Sequence, residues 1–191
     1  EDFYSLQELR SLVTYCMDRG VRLIPEIDLP GHVTHIVASR PDLAPTGRAT
    51  DRTQKFGVHR ACLDPSNENV FIFVRDLIEE LSDVFPDPFI HLGGDEVDPT
   101  WWSGDPNINS FMKKNGLSDP IDLQNYFFRR LVEIGTALGK TVIGWDEVLH
   151  PEMPGCVVQN WRGCTTRDRA RALSRDSVSY THLRAHETSR Y

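Results

Sequence analysis

Two neighbouring acids, Asp95 and Glu96, stand directly after Gly93 and Gly94 in the run HLGGDEV. Paired carboxylates suit general acid–base work, one group moving a proton while the other holds charge. Consecutive residues on a regular strand point to opposite faces. Both acids therefore serve one pocket only where the strand breaks up, and two glycines permit that break. Taken alone, GGDE also suits a solvated turn. Its position at a strand end, beside other acids and tryptophans, favours a shared site.

A second run, PEIDLPGH, carries Glu26, Asp28 and His32. Pro30-Gly31 reads as a turn, after which His32 either caps a helix or hydrogen-bonds a catalytic carboxyl. Trp145 and Trp161 lie at the ends of the apolar runs TVIGW and CVVQNW. Flat rings stack on the apolar C–H faces of a sugar, or else fill a core. Asp146 and Glu147 suit either hydroxyl binding or pairing with arginines. Trp101-Trp102 is a weaker pair, one ring towards a ligand and the other towards a lid.

These residues need elements to hold them. Residues 5 to 18 read as an amphipathic helix capped by Ser5, with Leu6, Leu9, Leu12, Val13 and Cys16 at helical spacing and Gly20 at its stop. VRLIPEID reads as a buried strand, followed by a long irregular stretch to Cys62 with a short helix in HVTHIVASR. A helix is predicted from about Pro65 to Phe85 with Asp64 or Ser66 as cap, a short one near Ile108 to Asn115, and a long one over Asp122 to Leu138. PFIHLGGDEV, TVIGWDEV and CVVQNW are the further strands, and a last helix is predicted from Thr165 to Ser174.

Alternating strands and helices imply a parallel sheet of the α/β class. Each apolar strand turns polar or aromatic at its C-terminal end, as the functional rim of a (β/α) barrel does. No glycine-rich phosphate loop follows the first strand, which argues against an open doubly wound sheet. Between Val148 and Cys156 the chain is too short for an ordinary parallel crossover, so one outer helix is expected to be reduced to a turn.

Among 191 residues, 39% are hydrophobic and 26% charged, within the range of one globular domain. The net charge of −7 argues against nucleic acid as partner. No run of about 18 apolar residues exists to span a membrane. Cys16, Cys62, Cys156 and Cys164 lack metal-type spacing and are open to either free or bridged states. The stretch VSYTHLRAHET from Val178 can be encoded by a codon series resembling the flank of a transposase sequencing adaptor. Residues 178–191 are accordingly expected to be a translated, non-native tail, with one domain over 1–177.

HLGGDEV, IPEIDLPGH, GWDEV and VQNW resemble, in order and spacing, the β-N-acetylhexosaminidases of glycoside hydrolase family 20, over nearly all of residues 1 to 165. DEVDPTWW and INSFMKKNGL add a likeness to the lysosomal branch. The resemblance implies a partial (β/α)8 TIM barrel, about four of eight strands, with no metal and no organic cofactor. It implies Glu96 as general acid/base, Asp95 orienting the substrate's 2-acetamido group, and His32 in a relay to Glu96. Trp145 and Trp161 would wall the sugar pocket, with Glu147, Asp146 and Asp28 as further substrate-binding groups. The implied reaction is retaining exo-hydrolysis of a terminal β-linked N-acetylhexosamine, with the acetamido oxygen as internal nucleophile. The partner would be a glycan ending in N-acetylglucosamine or N-acetylgalactosamine. Members of the family occur in secreted, periplasmic and lysosomal compartments. The family's sugar-gripping arginine would precede Glu1 and its later strands would follow Ser177, so this chain alone is expected to be inactive and aggregation-prone. Two other readings compete: a catalytically dead sugar-binding relative, and a glycosidase with a conventional carboxylate nucleophile.

Overall fold

A computed structural model describes residues 3–52, 55, 57–153, 155–162 and 177–179. Four strands form one parallel sheet in chain order: β1 (Phe89–His91), β2 (Thr141–Trp145), β3 (Val157–Asn160) and β4 (Ser177–Ser179). Sequential parallel strands with helices between them make an arc of a (β/α)8 barrel.

The expected first strand, VRLIPEID, is an extended segment joined to β1 by a single bridge, Glu26 to His91. Pro25 has no N–H to give, and only its carbonyl joins the ladder, accepting from His91 N at 3.0 Å. Ile27 N then donates to His91 O and Leu29 N to Leu92 O, at 2.9 and 3.1 Å. The register that carries Glu26 and Asp28 to the strand ends is kept. The ladder is merely thinner than a full strand.

Helix α1 (Leu6–Met17) starts as predicted, with Ser5 and Glu8 forming a capping box. Only part of its predicted apolar stripe is used. Leu9 and Val13 pack with Val84, Phe85 and Leu23, whereas Leu6, Leu12, Tyr15 and Met17 are exposed. α2 (Thr34–Ser39) is the short helix of HVTHIVASR. α3 (Glu68–Val84) is capped by Asn67 rather than Asp64 or Ser66, because Asp64 already accepts from Ser66 N and Ser66 Oγ in its own turn. α4 (Pro106–Asn115) and α5 (Pro120–Ala137) begin earlier than predicted, each with an aspartate cap followed by proline.

α5 packs on both β2 and α3. Its Phe127 and Phe128 are fully buried in the main core with Leu29, Leu43, Leu63, Ile78 and Ile90. Burial of each such ring is worth about 1.5–3 kcal/mol. From Trp145 to Val157 the chain crosses with only a 3-10 turn, Asp146–Val148, before pairing in parallel. This is the reduced crossover foreseen in the sequence. Trp102 is a core residue, buried with Cys62, Ile108 and Leu123 and donating its indole N–H to Leu63 O at 2.9 Å. Cys16 and Cys62 are free thiols. The predicted helix over Thr165–Ser174 and the tail beyond residue 179 lie outside the described residues; the boundary expected at 177 falls within β4.

Asp105 ties the irregular stretch to α4. Its carboxylate caps the helix at Asn107 N and Ile108 N and also accepts from Thr46 N, and its side chain is buried. Asp105→Ala is expected to destabilise the fold by about 2–3 kcal/mol, since several buried donors lose their acceptor. Urea unfolding of the two proteins measures this; a loss below about 0.5 kcal/mol would show the anchor to be unimportant.

Candidate active site

The site begins where β1 ends. Gly93 and Gly94 have φ of +70° and +98°, and Glu96 has φ of +50°. A side chain at Gly93 would overlap the Asp28 carboxyl, and one at Gly94 would overlap Val148 and crowd Phe128. Glycine is required here twice over, for dihedral and for space. The peptide groups of the turn are held individually. Trp145 N donates to Gly93 O at 2.8 Å, Gly94 N to Asp28 Oδ1 at 3.0 Å, and Gln124 Nε2 to Gly94 O at 2.9 Å. The left-handed conformation of Glu96 breaks strand alternation, at a cost of about 1–2 kcal/mol. Asp95 and Glu96 consequently line one cavity of about 210 Å³, with Trp145 and Trp161 as the other walls.

His32 joins the acids from the other side. Its Nε2 lies 3.4 Å from Glu96 Oε2 and 3.8 Å from both Asp28 Oδ2 and Asp95 Oδ2. Burial, and then a hydrogen bond to Asp95, push the Asp28 carboxyl up to about 9. Asp28 is therefore neutral at ordinary pH and gives its proton to Asp95. Asp95 Oδ1 is buried and has no hydrogen-bond partner among the described residues. A buried acceptor left without a donor is uncommon in a folded chain and marks Asp95 for more than packing.

Asp28, His32 and Asp95 bring ligand atoms within 4.8 Å of one another, as a cation site would. Asp28 Oδ1 already accepts from Gly94 N, so that oxygen is committed within the fold.

Each tryptophan is oriented by a carboxylate. Trp145 donates its indole N–H to Glu26 Oε1 and Trp161 donates to Glu147 Oε2, both at 3.1 Å. The two rings meet edge-on with centroids 6.5 Å apart. Burial raises both Glu26 and Glu147 above the usual carboxylate range. Beneath Trp161 the Asp146 side chain is completely buried, accepting from Trp161 N at 3.2 Å and from Arg162 Nε at 2.7 Å. Arg162 Nε also lies 3.6 Å from Glu147 Oε1. A buried carboxylate of this kind is tolerated because it is paired.

Of the residues singled out in the sequence, Asp95, Glu96, Trp145 and Trp161 line the cavity together, and His32 contacts the acids. Asp28, Asp146 and Glu147 stand behind the walls and hold the groups that line it. Sequence reasoning passed over His91, Arg162 and Gln124, and named Glu26 without giving it a role. His91 is buried, its ring 4.9 Å from that of Trp145, and its Nδ1 accepts from Gly93 N at 3.1 Å. Burial lowers it to about 4, so it is the neutral imidazole that supports both the turn and the wall. Its place two residues before the glycines was the available signal. For Gln124, on a helix distant in sequence, there was none.

A model of the glycosyl hydrolase family 20 catalytic domain matches residues 1–181. A beta-hexosaminidase of Porphyromonas gingivalis is 35% identical over 162 residues, 84% of this chain and 21% of that protein. The beta-hexosaminidase subunit beta of Mus musculus is 37% identical over 164 residues, 83% of this chain and 30% of its own length. The chain thus spans less than a third of the relatives it matches. Among solved structures, a chitobiase of Flavobacterium johnsoniae superposes with a TM-score of 0.84 at 30% identity, covering 93% of this chain and 28% of that one. An exo beta-N-acetylglucosaminidase of Vibrio harveyi, solved in complex with N-acetylglucosamine, superposes with a TM-score of 0.82 at 29% identity, covering 93% and 28%.

The proton on Asp28 has a measurable consequence. A carboxyl raised by folding stabilises fully below its ordinary value of 3.8, and that contribution is lost progressively as pH rises from there towards about 9. Asp28→Asn keeps a neutral donor for Asp95 and an acceptor for Gly94 N. Its unfolding free energy is expected to decline less between pH 5 and pH 8 than that of the wild type. Equal slopes in denaturant titrations at the two pH values would mean that Asp28 is ionised in the native state.

Proposed function

This chain belongs to glycosyl hydrolase family 20, and on that premise we propose that the protein containing it removes terminal β-linked N-acetylhexosamine from glycans with retention of configuration. The observation that carries the proposal is the pair Asp95–Glu96 lining a single tryptophan-walled cavity with Asp95 Oδ1 buried and lacking a partner. A sugar bound against the wall that Trp145 and Trp161 form turns its 2-acetamido group towards Asp95. The amide N–H supplies the missing donor, and the carboxylate then steadies the positive charge that develops as the acetamido carbonyl oxygen attacks the anomeric carbon. The C–O bond to the leaving group breaks while Glu96 delivers a proton to the departing oxygen. Glu96 next takes a proton from water as it opens the oxazolinium ring, restoring the starting state. No enzyme nucleophile is needed, because the acetamido oxygen takes that role.

Glu96 separates this cavity from a second one of about 550 Å³, lined by His32, Thr34, His35, Lys55 and His59. A general acid must stand at the scissile bond, so the second cavity is the side that receives the leaving group. His32, in contact with Glu96, is the group that orients its carboxyl for both proton transfers.

In the complete protein, Glu96→Gln is expected to lower kcat on a nitrophenyl N-acetyl-β-glucosaminide by about 10²–10⁴-fold. KM is expected to change little. Turnover close to wild type, or equally fast cleavage of the corresponding plain glucoside, would remove the proposed mechanism.

A further inference from the structure

We propose that Gln124 is a positioning residue for the catalytic pair, setting the direction of the Asp95 carboxylate through the carbonyl of Gly94. This rests on the assignment of Asp95 and Glu96 above.

The peptide plane between Gly94 and Asp95 contains Gly94 O and Asp95 N, and its tilt decides where the Asp95 Cα–Cβ bond points. Glycine at φ +98° offers that plane little resistance to rotation of its own. Its orientation must therefore come from partners. Gly94 N is taken by Asp28 Oδ1 at 3.0 Å, from the segment beside β1. Gly94 O accepts from Gln124 Nε2 at 2.9 Å, from α5. The two anchors arrive from opposite ends of the residue and from unrelated parts of the chain. Gly94 N belongs to the preceding peptide plane, so of the two it is the Gln124 bond that holds the plane leading to Asp95.

α5 is a firm base for this bond. Asp119 caps its first turn and Phe127 and Phe128 are fully buried, so the helix is fixed in register. Phe128 lies one turn beyond Gln124, on the same helix face. A Cβ at Gly94 would stand 3.1 Å from Phe128 Cε2. The helix thus touches Gly94 twice, with a ring that limits sideways movement and an amide that fixes rotation. The ring alone cannot do the second, because an apolar contact has no preferred direction. Gln124 has no reach to the cavity lining and acts only through Gly94.

Displacement of a catalytic group by about 1 Å can cost on the order of 10²-fold in rate. Gln124→Leu keeps the bulk and removes the donor. In the complete protein it is expected to lower kcat about 10–100-fold with KM within about threefold, and to leave the thermal midpoint within a few degrees. Gln124→Glu separates positioning from packing. Its carboxyl donates to Gly94 O only when protonated and repels it when ionised, so its kcat relative to wild type should rise as pH falls from 7 to 5. The corresponding ratio for Gln124→Leu should stay flat. Taking ratios removes the pH dependence that each variant shares with wild type. A Gln124→Leu kcat within twofold of wild type, or a pH-independent Gln124→Glu ratio, would overturn the proposal. Crystal structures of wild type and Gln124→Leu supply a readout independent of turnover. A displaced or split Asp95 carboxylate in the variant supports positioning, and an unmoved one refutes it. Failure of the wild type to cleave the substrate would instead sink the assigned reaction, leaving the crystallographic result to decide the role of Gln124.

Discussion

The site depends on one close approach: the backbone of Gly93 and Gly94 lies against the Asp28 carboxyl on one side and Val148 and Phe128 on the other, with no room for a Cβ at either position. That approach ends β1, admits the positive dihedrals and brings Asp95 and Glu96 onto one wall. A regular strand would have sent one of the acids into the core. Every other feature of the site either holds this turn or faces it.

Charge is the second constraint. Glu26, Asp28, Asp95, Glu96, Asp146 and Glu147 crowd a small volume, and unmanaged repulsion would splay it. The structure resolves this by different means for different groups. Burial keeps the proton on Asp28, which turns a repulsive neighbour of Asp95 into a hydrogen-bond donor. Asp146 is matched by Arg162 and by a backbone N–H. Glu26 and Glu147 are spent on indole N–H groups, which aims the tryptophans and leaves their faces to the cavity. His91 stays neutral in the same interior and so adds no charge where a cation would be stranded.

These arrangements divide labour between lining and support. The groups that line the cavity come from the ends of β1 and β2 and from the residue after β3. The groups that position them come from the segment beside β1, from the short crossover after β2 and from α5. A parallel arc allows this because all strand ends emerge on one rim while α5 packs on the outside of the sheet. The outer helix is thus part of the site's precision without touching a ligand.

Residue order alone made much of this legible. HLGGDEV carried the paired acids and the glycines that free them; the apolar runs ending in acid or tryptophan carried the barrel rim; the gap between Val148 and Cys156 carried the reduced crossover. Such features are local, and local sterics and periodicity suffice to read them. What only the tertiary structure decided was direction. Asp28, Asp146 and Glu147 are open to several roles in sequence, and the fold adds what each touches: Gly94 N, Trp161 N with Arg162, and the Trp161 indole N–H. VRLIPEID looked like a full strand, but Pro25 cannot donate to the ladder. Gln124 was invisible, since its contact with Gly94 spans residues distant along the chain and exists only once α5 has packed on the sheet.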